Sequence, residues 1–261
     1  MSPDSDLHPQ GGSSPPTEEP EHSHSHLDPA QQPTLLRVQN LVCGYGKKRI
    51  LGPLTFHLHT RTFMLIEGSN GSGKTTLLKT LLGLLPPVSG DLSWMVPRES
   101  LRFVPQTRTL DPMLPATVYD VLATGLHQGK GRRSLRVHID RSALKEALAM
   151  VRMEGFGHHL FRELSEGQKQ LILVARALLG EPRVLLLDEP SASMDPEREA
   201  ETVDLLHEIQ SNSGVTVVMI AHGSSVARRA STRIMEIQRG GSIHIEECGD
   251  QCADKRPSQF N

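Results

Sequence analysis

The stretch Gly68-Ser69-Asn70-Gly71-Ser72-Gly73-Lys74-Thr75 decides how the rest of the chain is read. It has the spacing Gly, four residues, Gly-Lys-Thr, and Thr76 follows it. The apolar run Thr62–Ile66 precedes it, and a helical pattern over Thr75–Leu85 follows. Strand, glycine-rich loop and helix in that order make a phosphate cradle. Glycines let successive backbone N–H groups turn inward around an anion. The helix start adds its positive end. Lys74 supplies a mobile cation for the outer phosphates, and Thr75 offers a hydroxyl to Mg²⁺. The pattern therefore predicts a bound nucleoside triphosphate.

Outward from the loop, apolar runs alternate with helical patterns. Strands are expected at Leu35–Val38, Leu54–Leu58, Thr62–Ile66, Leu101–Val104, Val184–Leu187, Val215–Ile220, Ile234–Ile237 and Ile243–Ile245. Helices are expected at Thr75–Leu85, Val118–Leu126, Ser142–Met153, Gly167–Leu179 and Glu197–Gln210. Such alternation implies an α/β domain with a parallel sheet. The Val184 and Val215 runs are continuously apolar, as strands buried on both faces require. The early strands are more mixed and suit a small antiparallel sheet. Thr117 and Asp120 have the spacing of a capping box. Pro86-Pro87 closes the first helix, because proline cannot continue one. Gly180 stops the fourth.

The run Val184-Leu185-Leu186-Leu187 ends in Asp188-Glu189. Side chains alternate along a strand, but its end can turn, so two adjacent carboxylates can do different jobs. Asp188 suits Mg²⁺, and Glu189 suits the polarisation of an attacking water.

Composition sets outer limits. The chain has 261 residues and a formal net charge of -2, without the basic footprint of a nucleic-acid binder. No apolar stretch approaches the ~20 residues that span a bilayer. Three cysteines cannot form a paired disulfide framework, which suits a reducing compartment. Residues 1–34 hold six acids, seven prolines and no Lys or Arg. This His- and Pro-rich segment is expected to be a disordered acidic tail and lacks the features of a secretory signal. Residues 35–245 are expected to form one domain, and 246–261 a polar tail.

Leu164-Ser165-Glu166-Gly167-Gln168-Lys169-Gln170 narrows the choice among phosphate-loop proteins. Ser165 stands where the N-cap of the fourth helix belongs, and Gly167 opens a second anion-binding helix start. This segment lies 23 residues before Asp188 and 91 after Lys74. Its order and spacing resemble the ATP-binding cassette (ABC) ATPases, whose signature is Leu-Ser-x-Gly-Gln. The resemblance covers about residues 35–245 and implies a P-loop ABC ATPase domain. Such a domain has a mixed, largely parallel sheet core, a small antiparallel β subdomain and a helical subdomain at about 107–170.

The resemblance assigns further residues. Tyr45, in Cys43-Gly44-Tyr45-Gly46, resembles the aromatic residue that stacks on adenine. Gln106, in Phe103-Val104-Pro105-Gln106, resembles the glutamine that contacts the metal and senses the γ-phosphate. Ser193-Met194-Asp195 resembles the loop that crosses to a second subunit. His222, in Ile220-Ala221-His222, resembles the switch histidine. ATP on the P-loop of one chain would be covered by Ser165, Gly167 and Gln168 of another. Two departures stand out. Glu166 takes the place of a common glycine, and Leu171 the place of an arginine.

One P-loop, no room for a long coiled coil and no fused membrane domain favour a separate-subunit transporter ATPase. It would be a homodimer on the cytoplasmic face of the membrane, docked on integral permease subunits. Leu114-Pro115-Ala116-Thr117-Val118-Tyr119-Asp120-Val121, continuing to Gly125, is similar to a segment of the zinc and manganese importer ATPases. That likeness implies metal import, zinc ahead of manganese, with an extracytoplasmic solute-binding protein. His22, His24 and His26, with His8 upstream, suit Zn²⁺. The Cys-x3-Cys spacing of Cys248 and Cys252 supplies two thiols, half of the ligands that a structural zinc site needs. A cassette ATPase for another substrate and the soluble iron–sulfur assembly ATPases remain alternatives.

Overall fold

The computed structural model describes residues 32–106, 115–126, 141–192, 194–238 and 241–248. The histidine tail, residues 107–114 and 127–140 of the expected helical subdomain, Ser193, Cys252 and most of the C-terminal tail lie outside the described residues.

The chain opens with β1 (Thr34–Tyr45) and β2 (Lys48–His59), which pair antiparallel from Thr34↔His59 to Tyr45↔Lys48. The Pro33 carbonyl accepts from the Thr60 N–H at 3.0 Å, one step beyond that ladder. β3 (Phe63–Gly68) leads into α1 (Lys74–Leu81). β4 (Ser89–Trp94) then returns to the free side of β1, giving a three-stranded sheet in the order β2-β1-β4. β5 (Leu101–Val104) crosses into the central sheet. After α2 (Val118–Leu126), α3 (Arg141–Met150) and α4 (Glu166–Leu178) come β6 (Val184–Asp188) and α5 (Pro196–Ser213). β7 (Thr216–Ile220), α6 (Ser225–Ala230), β8 (Arg233–Ile237) and β9 (Ile243–Glu247) complete the described chain.

The central sheet has the order β5-β6-β7-β3-β8-β9. Its first five strands are parallel, and β9 runs antiparallel to β8. Alternation along β3, β6 and β7 divides the core in two. Phe63, Leu65, Leu185, Leu187, Val217 and Met219 pack toward α4 and α5. Met64, Ile66, Leu186, Val218 and Ile220 pack toward α1 and the small antiparallel sheet. The central strands thus read as unbroken apolar runs because both faces are covered.

The structure departs from the sequence reading in several places: β1 and β2 run well beyond the expected Leu35–Val38 and Leu54–Leu58, and α3 ends at Met150 rather than Met153. α1 ends at Leu81, before the prolines, because Gly83 takes a left-handed φ of 64° and its N–H bonds the Thr80 carbonyl at 2.9 Å. After α4 the left-handed residue is Glu181 (φ 46°), not Gly180. Gly180 is instead pressed by Arg102, whose Nη2 would lie 2.3 Å from an added Cβ. β4 is an additional strand with little apolar alternation, and backbone pairing to β1 holds it. α6 is an additional short helix, capped where Ser224 Oγ accepts from the Ala227 N–H at 3.0 Å.

Candidate functional site

Strand register gathers the predicted residues at one edge of the sheet. Ile66 pairs with Ile220, Asp188 also pairs with Ile220, and Val104 pairs with Leu187. The carboxyl ends of β5, β6, β7 and β3 therefore finish level. Just beyond them, in order across the sheet, come Gln106, Asp188 with Glu189, His222, and the loop from Gly68 to Lys74. Open parallel sheets bind ligands beyond the carboxyl ends of their strands.

The glycine loop has the shape its sequence implies. Gly68 and Gly73 take φ values of 153° and 103°, which favour glycine. A Cβ on Gly68 would stand 2.5 Å from the Ile237 carbonyl oxygen and 2.8 Å from Ser72 Oγ. The Ser72 N–H closes the turn on the Ser69 carbonyl at 3.1 Å. Lys74 is buried, and its Nζ donates to the carbonyls of Gly68 (2.8 Å) and Ser69 (3.2 Å). Ser72 Oγ is buried with no hydrogen-bond partner among the described residues. An unpaired buried hydroxyl and the free N–H groups of the first turn of α1 suit an oxygen-rich anion. Thr75 is exposed on that turn, and Thr76 is buried beneath it.

The acidic pair closes the other side. Burial pushes the Asp188 carboxyl up, and the adjacent Glu189 adds to the rise, while Lys79 and Lys74 draw it down. Glu189 is left-handed, with φ 47°. Its N–H is held by the Ile220 carbonyl at 3.1 Å, and its own carbonyl accepts from Ala192. This sharp bend is how neighbouring carboxylates leave the alternation of a strand. A hydroxyl, a carboxylate and an amide from Thr75, Asp188 and Gln106 form a hard oxygen donor set, which fits Mg²⁺.

The remaining predicted residues stand elsewhere. Tyr45 is half exposed at the end of the β1–β2 hairpin, whose Ile50 packs 3.1 Å from a Cβ placed on Gly73. That contact sets the hairpin beside the phosphate loop. Ser165 caps α4 in a full capping box. Its Oγ accepts from the Gln168 N–H at 3.2 Å, and Gln168 Oε1 accepts from the Ser165 N–H at 2.9 Å. Asp195 caps α5, accepting from the Arg198 N–H at 3.0 Å. Gly167 and Met194 bring these two helix starts together, with Met194 Cε 3.6 Å from an added Cβ. Ser165, Gly167, Gln168 and Asp195 thus form a second group, on helix starts rather than strand ends.

Sequence reasoning missed two features. Gln170 is buried in α4, and its Nε2 reaches the Pro105 carbonyl at 3.5 Å, beside Gln106. Glu67, directly before the glycine loop, is buried and ion-paired with Arg228 of α6. A lone acid ending the apolar run Phe63–Ile66 was the available signal.

The family model described as ABC transporter matches residues 51–192. The chain belongs to this family. Among its relatives is the zinc import ATP-binding protein ZnuC of Cereibacter sphaeroides, 33% identical, with the match covering 79% of this chain and 80% of that protein. The high-affinity zinc uptake system ATP-binding protein ZnuC of Bacillus subtilis is 30% identical over 79% of this chain and 92% of its own length. Among solved structures, an inward-facing metal-chelate type ABC transporter superposes with TM-score 0.74 at 27% identity, covering 82% of this chain and 84% of that one. A dimeric bacterial ABC transporter cassette gives TM-score 0.68 at 26% identity, over 82% and 98% of the two chains. As an ABC ATPase domain, the protein binds nucleotide and hydrolyses ATP.

Proposed function

We propose that this ATPase powers the uptake of zinc. The zinc uptake names carried by relatives over most of the chain support that substrate. So does the likeness of the segment around α2 to metal importer ATPases. In this reading the chain docks peripherally on permease subunits at the cytoplasmic face, and a solute-binding protein delivers zinc outside. Among the described residues no helix is long and apolar enough to cross a membrane, which agrees with separate permease subunits.

The observation that carries the ATP chemistry is the level alignment of four strand ends, which sets Gln106, Asp188-Glu189 and His222 beside Lys74. Gly68 to Thr76 hold the triphosphate, with Lys74 exchanging loop carbonyls for phosphate oxygens. Thr75, Asp188 and Gln106 hold Mg²⁺, which supplies charge neutralisation when bound. Glu189 orients and polarises the attacking water, and His222 faces the outer phosphate. Catalysis of this kind is mostly positioning and charge stabilisation. Tyr45 stacks on the base. Ser165, Gly167, Gln168 and Asp195 face the nucleotide held by a second copy, as their likeness to the ABC signature and to the loop that crosses to a second subunit implies.

Glu189→Gln tests this assignment. The amide keeps the shape and loses the charge, so turnover falls on the order of 10²–10⁴-fold. ATP binding persists, and the variant accumulates as an ATP-dependent dimer in size-exclusion chromatography. A monomer under saturating ATP and high protein concentration refutes the two-copy site. Zinc accumulation in cells that express the ATPase with its permease, compared with the Glu189→Gln form, tests the substrate.

A further inference from the structure

Glu166 departs from the common glycine of the signature and places a carboxylate between Ser165 and Gly167. Those two neighbours are read as closing on the nucleotide of a second copy. Consecutive Cα atoms lie about 3.8 Å apart, so this charge stands close to the phosphates its neighbours meet. As the first residue of α4, Glu166 is favoured by the positive end of the helix. That gain is local and independent of nucleotide. Against a triphosphate the same charge is repulsive, and something at the helix start has to offset it.

Lys169, three residues on, supplies the offset: its Nζ donates to Glu166 Oε1 at 2.8 Å. Two features separate this pair from an ordinary surface ion pair. The Lys169 side chain is 16% exposed against 46% for Glu166, so the long stem of the cation is held by its surroundings. A fully exposed pair loses most of its Coulomb gain to side-chain entropy and screening. The second feature is position. A cation in the first turns of a helix is opposed by the helix dipole, so helix stability alone does not call for Lys169. The start of α5 repeats the arrangement, with Arg198 Nε 3.5 Å from Asp195 Oδ2. There the acid is itself the cap, since Asp195 Oδ1 accepts the Arg198 N–H at 3.0 Å, and both side chains are more than half exposed. In α4 Ser165 fills the cap, and the acid stands beside it.

We propose that Lys169 is a charge-compensating residue for nucleotide-driven association: held against Glu166, it lets a signature that carries an acid close on a triphosphate. The ammonium lowers the negative potential that this helix start presents to incoming phosphates. It acts on the second copy's nucleotide through Glu166, so it is a positioning residue and not a catalytic one. This inference rests on the reading of Ser165, Gly167 and Gln168 as facing the nucleotide of a second copy.

The test uses the full chain carrying Glu189→Gln, in which ATP holds the dimer, and reads dimer dissociation by analytical ultracentrifugation. Lys169→Met removes the cation and weakens the ATP-bound dimer on the order of 10-fold, the scale of a unit charge exposed near a triphosphate in partly wet surroundings. The loss fades at about 1 M salt, where the screening length falls to roughly 3 Å. Lys169→Arg keeps the charge and retains the dimer. Glu166→Gly restores dimer affinity in the Lys169→Met background, although glycine in the first turn lowers Tm further. Affinity and stability thus move in opposite directions, which a merely helix-stabilising ion pair does not produce. An unchanged dimer affinity for Lys169→Met overturns the proposal. So does a weakened dimer that Glu166→Gly fails to restore, which would make Lys169 itself the phosphate contact. Absence of an ATP-dependent dimer in the Glu189→Gln parent refutes the two-copy reading and this proposal with it. A parent dimer that ignores Lys169→Met refutes this proposal alone.

Discussion

Ser165 has two roles that substitution can separate. In the structure its Oγ caps α4, accepting from the Gln168 N–H at 3.2 Å, and Gln168 returns a bond to the Ser165 N–H at 2.9 Å. Ser165→Ala removes the first bond and leaves an orphan donor at the helix start. The cost is about 1 kcal/mol, and for a domain of this size each kcal/mol lowers Tm by about 2–4 °C. Ser165→Gly costs only a few tenths of that, on the order of 0.3 kcal/mol. Ser165→Asp keeps the cap and gains from the helix dipole, roughly 0.3–1 kcal/mol, so its Tm equals or exceeds the wild type. The order for nucleotide-driven dimerisation is different. In a Glu189→Gln background, Ala and Gly weaken the ATP-bound dimer by one hydrogen bond to a charged group, about 1.5–3 kcal/mol, and Asp abolishes it by repelling the triphosphate. Differential scanning calorimetry gives the first order, and analytical ultracentrifugation with ATP the second. A Ser165→Asp protein that dimerises with wild-type affinity refutes the placement of this helix start on a phosphate. An unchanged Tm for Ser165→Ala refutes the cap.

Asp188→Asn separates stability from activity. Burial and Glu189 raise the Asp188 carboxyl, so the fold favours its protonated form, and the stability that form contributes is lost as pH rises through the raised pKa. The amide variant therefore melts higher than the wild type at pH 8, the gap closes as pH falls toward the ordinary carboxylate range, and Mg²⁺-dependent turnover drops on the order of 100-fold or more. The opposite sign holds at Asp120, whose carboxyl is lowered by bonds from the Thr117 hydroxyl at 2.6 Å and N–H at 2.9 Å. Its capping contribution is present above the ordinary pKa and lost as pH falls through the lowered one, so the Tm difference between wild type and Asp120→Asn exists at pH 7 and vanishes in acid. Removing residues 1–31 keeps the Pro33 and Gln32 carbonyls that bond Thr60 and His59, so Tm and basal ATPase stay unchanged. Isothermal titration with Zn²⁺ then shows the loss of a roughly micromolar site furnished by His22, His24 and His26.

Much of this was legible because each signal was local. The glycine loop needs only its own eight residues and flanking strand and helix, and it appears where the motif placed it. The Thr117–Asp120 box and the Ser165 cap are likewise set by residues three apart, and both formed. Central strands such as Val184–Leu187 announced burial on both faces. β4 did not announce itself, because Ser89–Trp94 carries two apolar side chains and is fixed by a distant partner, β1. The end of α1 was misread because Pro86-Pro87 is a stronger signal in sequence than Gly83, yet Gly83 acts first. The Glu67–Arg228 pair spans 161 residues, and nothing local joins them. Gln170 was readable as part of a signature but not as a buried tether.

That tether bears on how the two halves of the site communicate. The strand-end group is held by main-chain register and is stiff. The helix-start group belongs to α4 and α5, which pack on the sheet through side chains alone. Gln170 is the fifth residue of α4, with its amide on the carbonyl that precedes Gln106. At 3.5 Å this contact is long, and a shift of α4 toward β5 shortens it while a shift away breaks it. A displacement of the Ser165 helix start is therefore carried to the residue proposed to contact Mg²⁺ without any change in the sheet. On the other flank, Arg228 ties α6 to the base of the phosphate loop. Each end of the four-strand row is thus fastened to a helix, β5 to α4 through Gln170 and the phosphate loop to α6 through Arg228. Movement of α4 is therefore carried to the Gln106 end of the row and movement of α6 to the phosphate-loop end, with Asp188 and Glu189 on β6 between them.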